Sequence, residues 1–523
     1  MPRELLEAQP SPTPLASVPA PPSLRKNVLA NYLGQGWMAV MGIAFLPLYL
    51  KVLGAATYGL IGVFALLQGW MALLDLGVTP TLNREMARLR AGAHSPQSMR
   101  ELLRALEAIY AAMSILVITG VWLGAPSLTH GWLNVGSLSP GLVIDALRVM
   151  GFVVAVRWLE QVYRGALQGL QDLVWLNSRQ AVLATARWAG AYVVILIKPS
   201  IMGFFLWQGG ISLLGATMLM LRTYRLLPRV SRPTVFRFSA LHDVRVFAGG
   251  MFMSSVLGFA LTQTDKLVVS KMLPLADLGY YMLASALAGG LLQLMAPLNT
   301  AVYPRLTEQA EQCDLVALRR TYHTSCEWMS AVIVPPSLLL AFFPRPILLL
   351  WTHDAAVTSA TAPILTVLAL GTMCYGFVNL PYQLQLAHGW TGLTVGINMV
   401  AVTVIVPLIV WAVPHYGALG AAFGWLLLNL GYVVTIAHLM HRRLLPGDKG
   451  KWYRDAIARP VVVGAAVCGG VLFLRPGASS PEAAALTLSL AALTVFSSVV
   501  AVLPSVRPVV ARILAGELRV GVR

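Results

Sequence analysis

Apolar residues occur along this chain in long unbroken blocks, each bounded by a short polar stretch. Fourteen blocks, at about 31–51, 58–77, 105–123, 141–160, 180–197, 201–221, 247–271, 279–300, 323–343, 358–379, 393–413, 418–439, 459–474 and 483–503, approach or exceed the length of a bilayer crossing. Such a crossing takes about 20 residues. Within a block the Leu, Ala and Val positions follow one another without the inside/outside alternation of a strand. In lipid only helices and closed barrels satisfy their backbone groups, so these continuous runs predict helices and exclude a barrel. The predicted fold class is all-α, a polytopic membrane protein with about fourteen transmembrane helices.

Composition strengthens this reading. Of 523 residues, 57% are hydrophobic and 11% charged, with a mean hydropathy of +0.71. A soluble chain of this length needs more charge to cover its surface. The net charge of +17 does not mark a nucleic-acid binder, because Lys and Arg lie between the apolar blocks and not in one domain. Positive charge collects in cytoplasmic loops. With the N-terminus inside, the even-numbered loops hold Arg84, Arg88, Arg90, Arg100 and Arg104, then Arg222, Arg225, Arg229, Arg232, Arg237 and Arg245, and the tail holds Arg507, Arg512, Arg519 and Arg523. The odd-numbered loops and outer helix ends hold only Lys51, Lys198, Lys266, Lys271, Arg345 and Arg475. Both termini are therefore predicted cytoplasmic. The longest external loop, Gly124–Pro140, has no Lys or Arg.

The predicted organisation follows. Residues 1–24, rich in proline, form a disordered cytoplasmic tail, and nothing there reads as a cleavable signal. Residues 25–221 form a six-helix bundle, 222–246 a cytoplasmic linker, and 247–440 a second six-helix bundle. A cytoplasmic loop (441–458), two extra transmembrane helices (459–503) and a cytoplasmic tail (504–523) complete the chain. Cys313, Cys326, Cys374 and Cys468 stand singly, so neither a metal site nor a disulfide framework is expected.

The two bundles read as copies. Shifted by 220 residues, KVLGAATYGLIGVFALLQGWMALL falls on KMLPLADLGYYMLASALAGGLLQL. Lys51 meets Lys271, Leu53 meets Leu273, Ala56 meets Ala276, Gly59 meets Gly279, Gly69 meets Gly289 and Leu74 meets Leu294. The offset holds six spans, an even number, so both copies point the same way: a parallel repeat about an axis along the membrane normal.

No P-loop, HExxH or GxSxG occurs. The informative residues are charges inside apolar spans, because such charges face a bundle interior, a cavity or a partner. In the fourth span Asp145 and Arg148 stand three apart, and Glu160 stands near Arg157 and Arg164, spacings that allow pairing along one helix. Arg187 in the fifth span is placed about two turns from the cytoplasmic end, where snorkelling and an anion site both account for it. In the seventh span Asp265 and Lys266 are adjacent, about 100° apart on a helix, so a simple ion pair is not expected and one of them should meet another helix or a cavity. Asp75 lies near the inner end of the second span. Asn31, Tyr32, Gln35, Trp37, Gln68 and Trp70 place polar and aromatic groups in the first two spans, suited to packing or to a sugar.

The stretch NYLGQGWMAVMGIAFLPLYLKVLGAATYGLIGVFALLQGWMALLDLGVTPTLNREMAR resembles the first two helices of the Wzx-type oligosaccharide/polysaccharide flippases, the polysaccharide transport family of the multidrug/oligosaccharidyl-lipid/polysaccharide exporter superfamily. TQTDKLVVSKMLPLADLGYYMLASALAGGLLQLMAPLNTAVYPRLTE is similar to that family's seventh and eighth helices, with Asp265, Gly279, Tyr280 and Pro304 on its pattern. The resemblance implies a V-shaped pair of six-helix bundles that works by alternating access. It implies an undecaprenyl-diphosphate-linked oligosaccharide as cargo, moved across the inner membrane for O-antigen, capsule or exopolysaccharide assembly. It implies a monomer that serves polysaccharide polymerase machinery, without a cofactor. By location in the spans, the substrate-binding residues would be Arg84, Arg148, Arg157, Arg187, Lys266 and Gln35, and the ion-coupling residues Asp75, Asp145, Glu160 and Asp265.

Two other readings stand beside it. A drug/cation antiporter of the same superfamily needs intramembrane carboxylates, and the first span has neither Asp nor Glu. A membrane polysaccharide polymerase or glycosyltransferase resembles proteins with a large charged external loop, which Gly124–Pro140 does not supply.

Overall fold

A computed structural model of the chain describes residues 24–74, 82–83, 85–86, 89, 95–136, 138–228, 245–390, 392–474 and 481–514. Sixteen helices are named here among those residues. They are α1 (Leu24–Leu53), α2 (Ala55–Leu74), α3 (Pro96–Gly131), α4 (Pro140–Gly169), α5 (Leu173–Ile197), α6 (Ile201–Leu226), α7 (Arg245–Met272) and α8 (Leu275–Glu311), followed by α9 (Leu315–Phe342), α10 (Pro344–Thr352), α11 (Ala355–Ala387), α12 (Gly392–Tyr416), α13 (Ala418–Leu444), α14 (Lys449–Leu474), α15 (Pro481–Ala501) and α16 (Arg507–Leu514). Each predicted span falls on one of α1–α9 or α11–α15. Among the described residues, eleven helices are long and apolar enough to cross a membrane. The remaining three on predicted spans are α2, α4 and α7, and α4 is the helix that carries Asp145, Arg148, Arg157, Glu160 and Arg164.

Local sequence fixes the helix ends. Ser95 caps α3 by accepting from the Ser98 amide at 3.1 Å, and Asp354 caps α11 by accepting from the Ala356 and Val357 amides at 2.8 and 3.0 Å. Pro96 and Pro140 occupy first-turn positions, where the missing N–H leaves no bond unmade. Between α1 and α2 the chain reverses at Gly54, whose φ of +78° is open to glycine without strain. The repeat is visible in the helix starts: α2 begins at Ala55 and α8 at Leu275, the 220-residue offset of the sequence.

The chain divides into two compact units, residues 1–259 and 260–523, with the division inside α7. In the first unit α1 packs on α5, α2 on α4, α3 on α4, and α6 on both α4 and α5. Tyr49 of α1 is fully buried, stacks on Trp188 and donates its hydroxyl to the Trp188 carbonyl at 2.5 Å; Trp37 donates to Thr185 at 2.8 Å. One core of this unit gathers Leu103, Leu106, Tyr110, Trp158, Val162 and Ala166, with Tyr110 stacked on Trp158 at 4.2 Å.

In the second unit α11 is central and packs on α8, α9 and α13. The two C-terminal helices, α14 and α15, pack on each other and on α9. Val334 and Leu338 of α9 join Cys468, Val495 and Val499 in one buried cluster there. Polar contacts add to it: the Tyr322 hydroxyl lies 3.2 Å from His441 Nε2, and Glu327 accepts from the Ser505 amide at 2.6 Å. His441 Nδ1 faces the Ala437 carbonyl, so its Nε2 is the acceptor for Tyr322. A π-turn at Tyr453–Ala458 widens α14, and the Ala456 carbonyl accepts from Ser330 of α9.

Two expectations change, and one connection gains a helix. The predicted loop 441–458 is mostly helix: α13 continues to Leu444 and α14 begins at Lys449, because Lys and Arg at helix ends hold their charges outward while the backbone stays helical. The predicted external loop Gly124–Pro140 is helical to Gly131. Pro126 lies inside α3, and the Thr129 hydroxyl bonds the Ala125 carbonyl at 2.8 Å. A short helix, α10, fills the connection after α9.

Candidate functional site

The first unit holds a cluster of charged and amide side chains inside its helix packing. Arg157 of α4 extends toward α2 and α6. Its Nη1 donates to Gln68 of α2 at 2.6 Å, its Nη2 to Gln208 of α6, and its Nε to Ser212 of α6 at 3.2 Å. The guanidinium carbon also stands 5.1 Å from the Phe64 ring centroid. Neutral acceptors thus hold the guanidinium on three sides and leave its charge uncompensated by them.

One turn further along α4, Glu160 is 3% exposed and meets two guanidiniums. Arg187 of α5 donates through Nη2 to Oε2 at 2.8 Å, and Arg164 Nη2 lies 3.6 Å from Oε1. The Gln180 amide, with its oxygen turned to Arg164, accepts from Nε at 2.8 Å and Nη2 at 3.0 Å. Gly215 of α6 makes room for the ion pair, because a Cβ there would stand 3.3 Å from Arg187 Nη2 and 3.5 Å from Glu160 Oε2. The side chains of Arg187 and Arg164 keep 17% and 29% of their surface. The reachable charge of the cluster is therefore positive, and its one carboxylate is covered.

The geometry bears on two readings of the sequence. Helix α5 begins at Leu173, earlier than the predicted start at 180, so Arg187 lies fourteen residues in, about 21 Å from the helix start at 1.5 Å per residue. Its partner Glu160 is buried inside the bundle. The ion-pair partners of Glu160 are Arg164 at i+4 and Arg187 from α5, while Arg157, three residues before it, turns to Gln68, Gln208 and Ser212.

Other predicted residues lie elsewhere. Arg148 pairs with Asp145 at 3.3 Å on α4 and faces the Trp122 ring at 4.9 Å; Asp145 is 60% exposed. Gln35 is exposed on α1. Asp75 and Arg84 lie outside the described residues.

In the second unit Lys266 and Asp265 do form an ion pair, contrary to expectation. The flexible lysine stem curls back so that Nζ sits 3.2 Å from both carboxylate oxygens, and it also donates to the Thr262 carbonyl at 2.9 Å. Asp265 meets a neighbouring helix as well, accepting from the Tyr281 hydroxyl of α8 at 2.5 Å. Sequence reasoning missed Tyr281, Gln180, Gln208 and Ser212. The last two stand four apart in an apolar span, which is the signal that marks them. Among the described residues no group of three or more His, Cys, Asp and Glu forms a metal site.

Comparison with known proteins places the fold and the family. The family described as polysaccharide biosynthesis protein matches residues 24–309, and the MatE family matches residues 251–411. A Shigella flexneri protein named "Putative O-antigen transporter" is 19% identical over 404 residues, which cover 77% of this chain and 94% of that protein. Among solved structures, the lipid II flippase MurJ in an inward closed conformation shares 14% identity at a TM-score of 0.67, with 94% of this chain and 99% of that one covered. The multidrug transporter DinF-BH shares 13% identity at a TM-score of 0.59, with 83% and 98% covered. These likenesses identify the fold as that of a membrane transporter of the multidrug/oligosaccharidyl-lipid/polysaccharide exporter superfamily. Within it, the chain belongs to the polysaccharide biosynthesis protein family. The named relatives are transporters and flippases, which accords with a chain that is not an enzyme.

Proposed function

We propose that this chain moves an undecaprenyl-diphosphate-linked oligosaccharide across the inner membrane by alternating access, with both termini on the cytoplasmic side. One observation supports this reading above the others: the polar cluster of α4, α5 and α6 offers three guanidiniums against one covered carboxylate. A charge held inside apolar helices is costly and is retained for function. Guanidinium forks match phosphate oxygens in pairs, which suits a diphosphate better than a cationic drug. Arg157, Arg164 and Arg187 are the anion-binding residues in this reading. The cargo then passes from a monomeric transporter to polysaccharide polymerase machinery.

A second reading is favoured by Asp265, a buried carboxylate within the segment that the MatE family matches. It makes the chain an ion-coupled drug or cation antiporter. Proteoliposomes separate the two. Translocation of a fluorescent undecaprenyl-diphosphate glycan, lost in Arg157→Ala, is expected. Efflux of a cationic dye with no movement of the glycan would overturn the proposal in favour of the antiporter.

A further inference from the structure

Glu160 is an unusual occupant of a site that would receive an anion. Its Oε2 takes one hydrogen bond from Arg187 at 2.8 Å. Its Oε1 has no hydrogen-bond partner among the described residues and stands 3.6 Å from Arg164. The Nε of Arg187 is likewise buried without a hydrogen bond among the described residues. The pair is thus a one-point contact, although a guanidinium and a carboxylate can form a two-point fork. Both partners hold unused capacity.

The three arginines differ in how firmly they are held. Arg157 is fixed by Gln68, Gln208 and Ser212 from two other helices. Arg187 is held at its tip by a single bond to Glu160, and its side chain keeps 17% of its surface. Arg164 is steadied by Gln180 and keeps 29%. The charged groups in contact with Glu160 are Arg164 from α4 itself and Arg187 from α5, with Arg157 one turn back on α4. From α6 it meets Gly215, with Gln208 and Ser212 beyond on Arg157. Three guanidiniums less one carboxylate leave two positive charges. A diphosphate diester carries one ionised oxygen on each phosphorus, so it matches that remainder in sign and number.

We infer that Glu160 is an internal counter-ion, which holds Arg187 and Arg164 until the diphosphate of the cargo displaces it and takes over both guanidiniums. This rests on the anion reading of the proposed function. It assigns Glu160 to tuning anion affinity and not to binding a coupling cation, since its oxygens already face two cations. Displacing a buried carboxylate opposes binding and so speeds release on the far side. A transporter needs that balance, because a site that binds cargo too firmly does not turn over.

The test titrates inorganic pyrophosphate into the full-length protein in detergent, by calorimetry and by the shift in unfolding temperature. Glu160→Gln keeps the side-chain size and removes the competing charge. It is expected to bind pyrophosphate about tenfold more tightly than wild type and to gain a larger thermal shift, while glycan translocation in proteoliposomes slows. A merely structural role for Glu160 moves affinity the other way. If Glu160→Gln does not fold, Glu160→Asp, which retracts the carboxylate by one methylene, should show a smaller gain. Unchanged or weaker binding in the variant that folds, with wild-type binding lost in Arg187→Gln, overturns the counter-ion role and leaves the anion reading standing. Absence of pyrophosphate binding in wild type, together with full translocation by Arg157→Ala, overturns both.

Discussion

Arg187 and Glu160 stand 27 residues apart in sequence, on α5 and α4, and are joined at 2.8 Å inside the first unit. Glu160 is 3% exposed, so removing the arginine leaves a covered carboxylate with only the more distant Arg164. Breaking a buried pair from one side costs about 3–5 kcal/mol, whereas replacing both partners costs far less. Arg187→Ala should therefore lower the unfolding temperature in detergent clearly, and the double variant Glu160→Gln with Arg187→Gln should recover most of the loss. Equal destabilisation in the single and double variants would deny the coupling.

Arg157 depends on geometry more than on charge. Its three donor directions end on Gln68, Gln208 and Ser212. Lysine keeps the charge but lacks the planar fork. Arg157→Lys should reach the membrane at wild-type abundance and lose most polysaccharide export, because the cation is no longer held in place. Surface polysaccharide staining beside an immunoblot of the membrane fraction checks this, and normal export would separate Arg157 from transport.

The helices were legible because a bilayer demands long apolar runs, and all fourteen blocks fall on helices. Much of the site was not. Asp145–Arg148 and Glu160–Arg164 follow from spacing along one helix. The partners of Arg157 stand 89, 51 and 55 residues away, on helices whose rotation no single-helix pattern sets. The start of α5 was missed because Leu173–Ser178 mixes Asn177 and Ser178 with apolar residues, and that error moved Arg187 from the helix middle toward an end. The Asp265–Lys266 pair was missed because the angle between adjacent Cβ atoms says little about a four-carbon stem that folds back to Thr262.

The C-terminal helices are tied to α9 by a bond that can be tested alone. Glu327 is buried and accepts from the Ser505 amide at 2.6 Å, just beyond α15. A hydrogen bond to a charged group contributes about 1.5–3 kcal/mol. Glu327→Ala should loosen the segment after Leu503 and speed its proteolytic removal several-fold while α9 stays protected. Unchanged cleavage kinetics would show that apolar packing alone holds it.

Orientation is open to a two-sided labelling test. Asn134, in the connection between α3 and α4, is exposed, and so is the native Cys313 between α8 and α9. The proposed topology, read from the arginine distribution, has the first connection outside and the second inside. In intact cells an impermeant maleimide should label Asn134→Cys in a Cys313→Ser background, and should label wild-type Cys313 only after permeabilisation. The reverse pattern would invert the proposed topology.

Asp265 distinguishes anion transport from cation coupling in the second unit. It is satisfied twice, by Lys266 at 3.2 Å and by the Tyr281 hydroxyl at 2.5 Å. A carboxylate so occupied acts as a structural anchor between α7 and α8, and its worth should appear in stability. Tyr281→Phe removes one donor and should cost about 1.5–3 kcal/mol, the contribution of a hydrogen bond to a charged group. Lys266→Met leaves the buried carboxylate uncompensated and should cost more. Asp265→Asn keeps the shape, so glycan translocation by that variant should persist across imposed ion gradients. Translocation that collapses in Asp265→Asn at unchanged thermal stability would instead make this carboxylate the coupling site and restore the cation reading for this half of the chain.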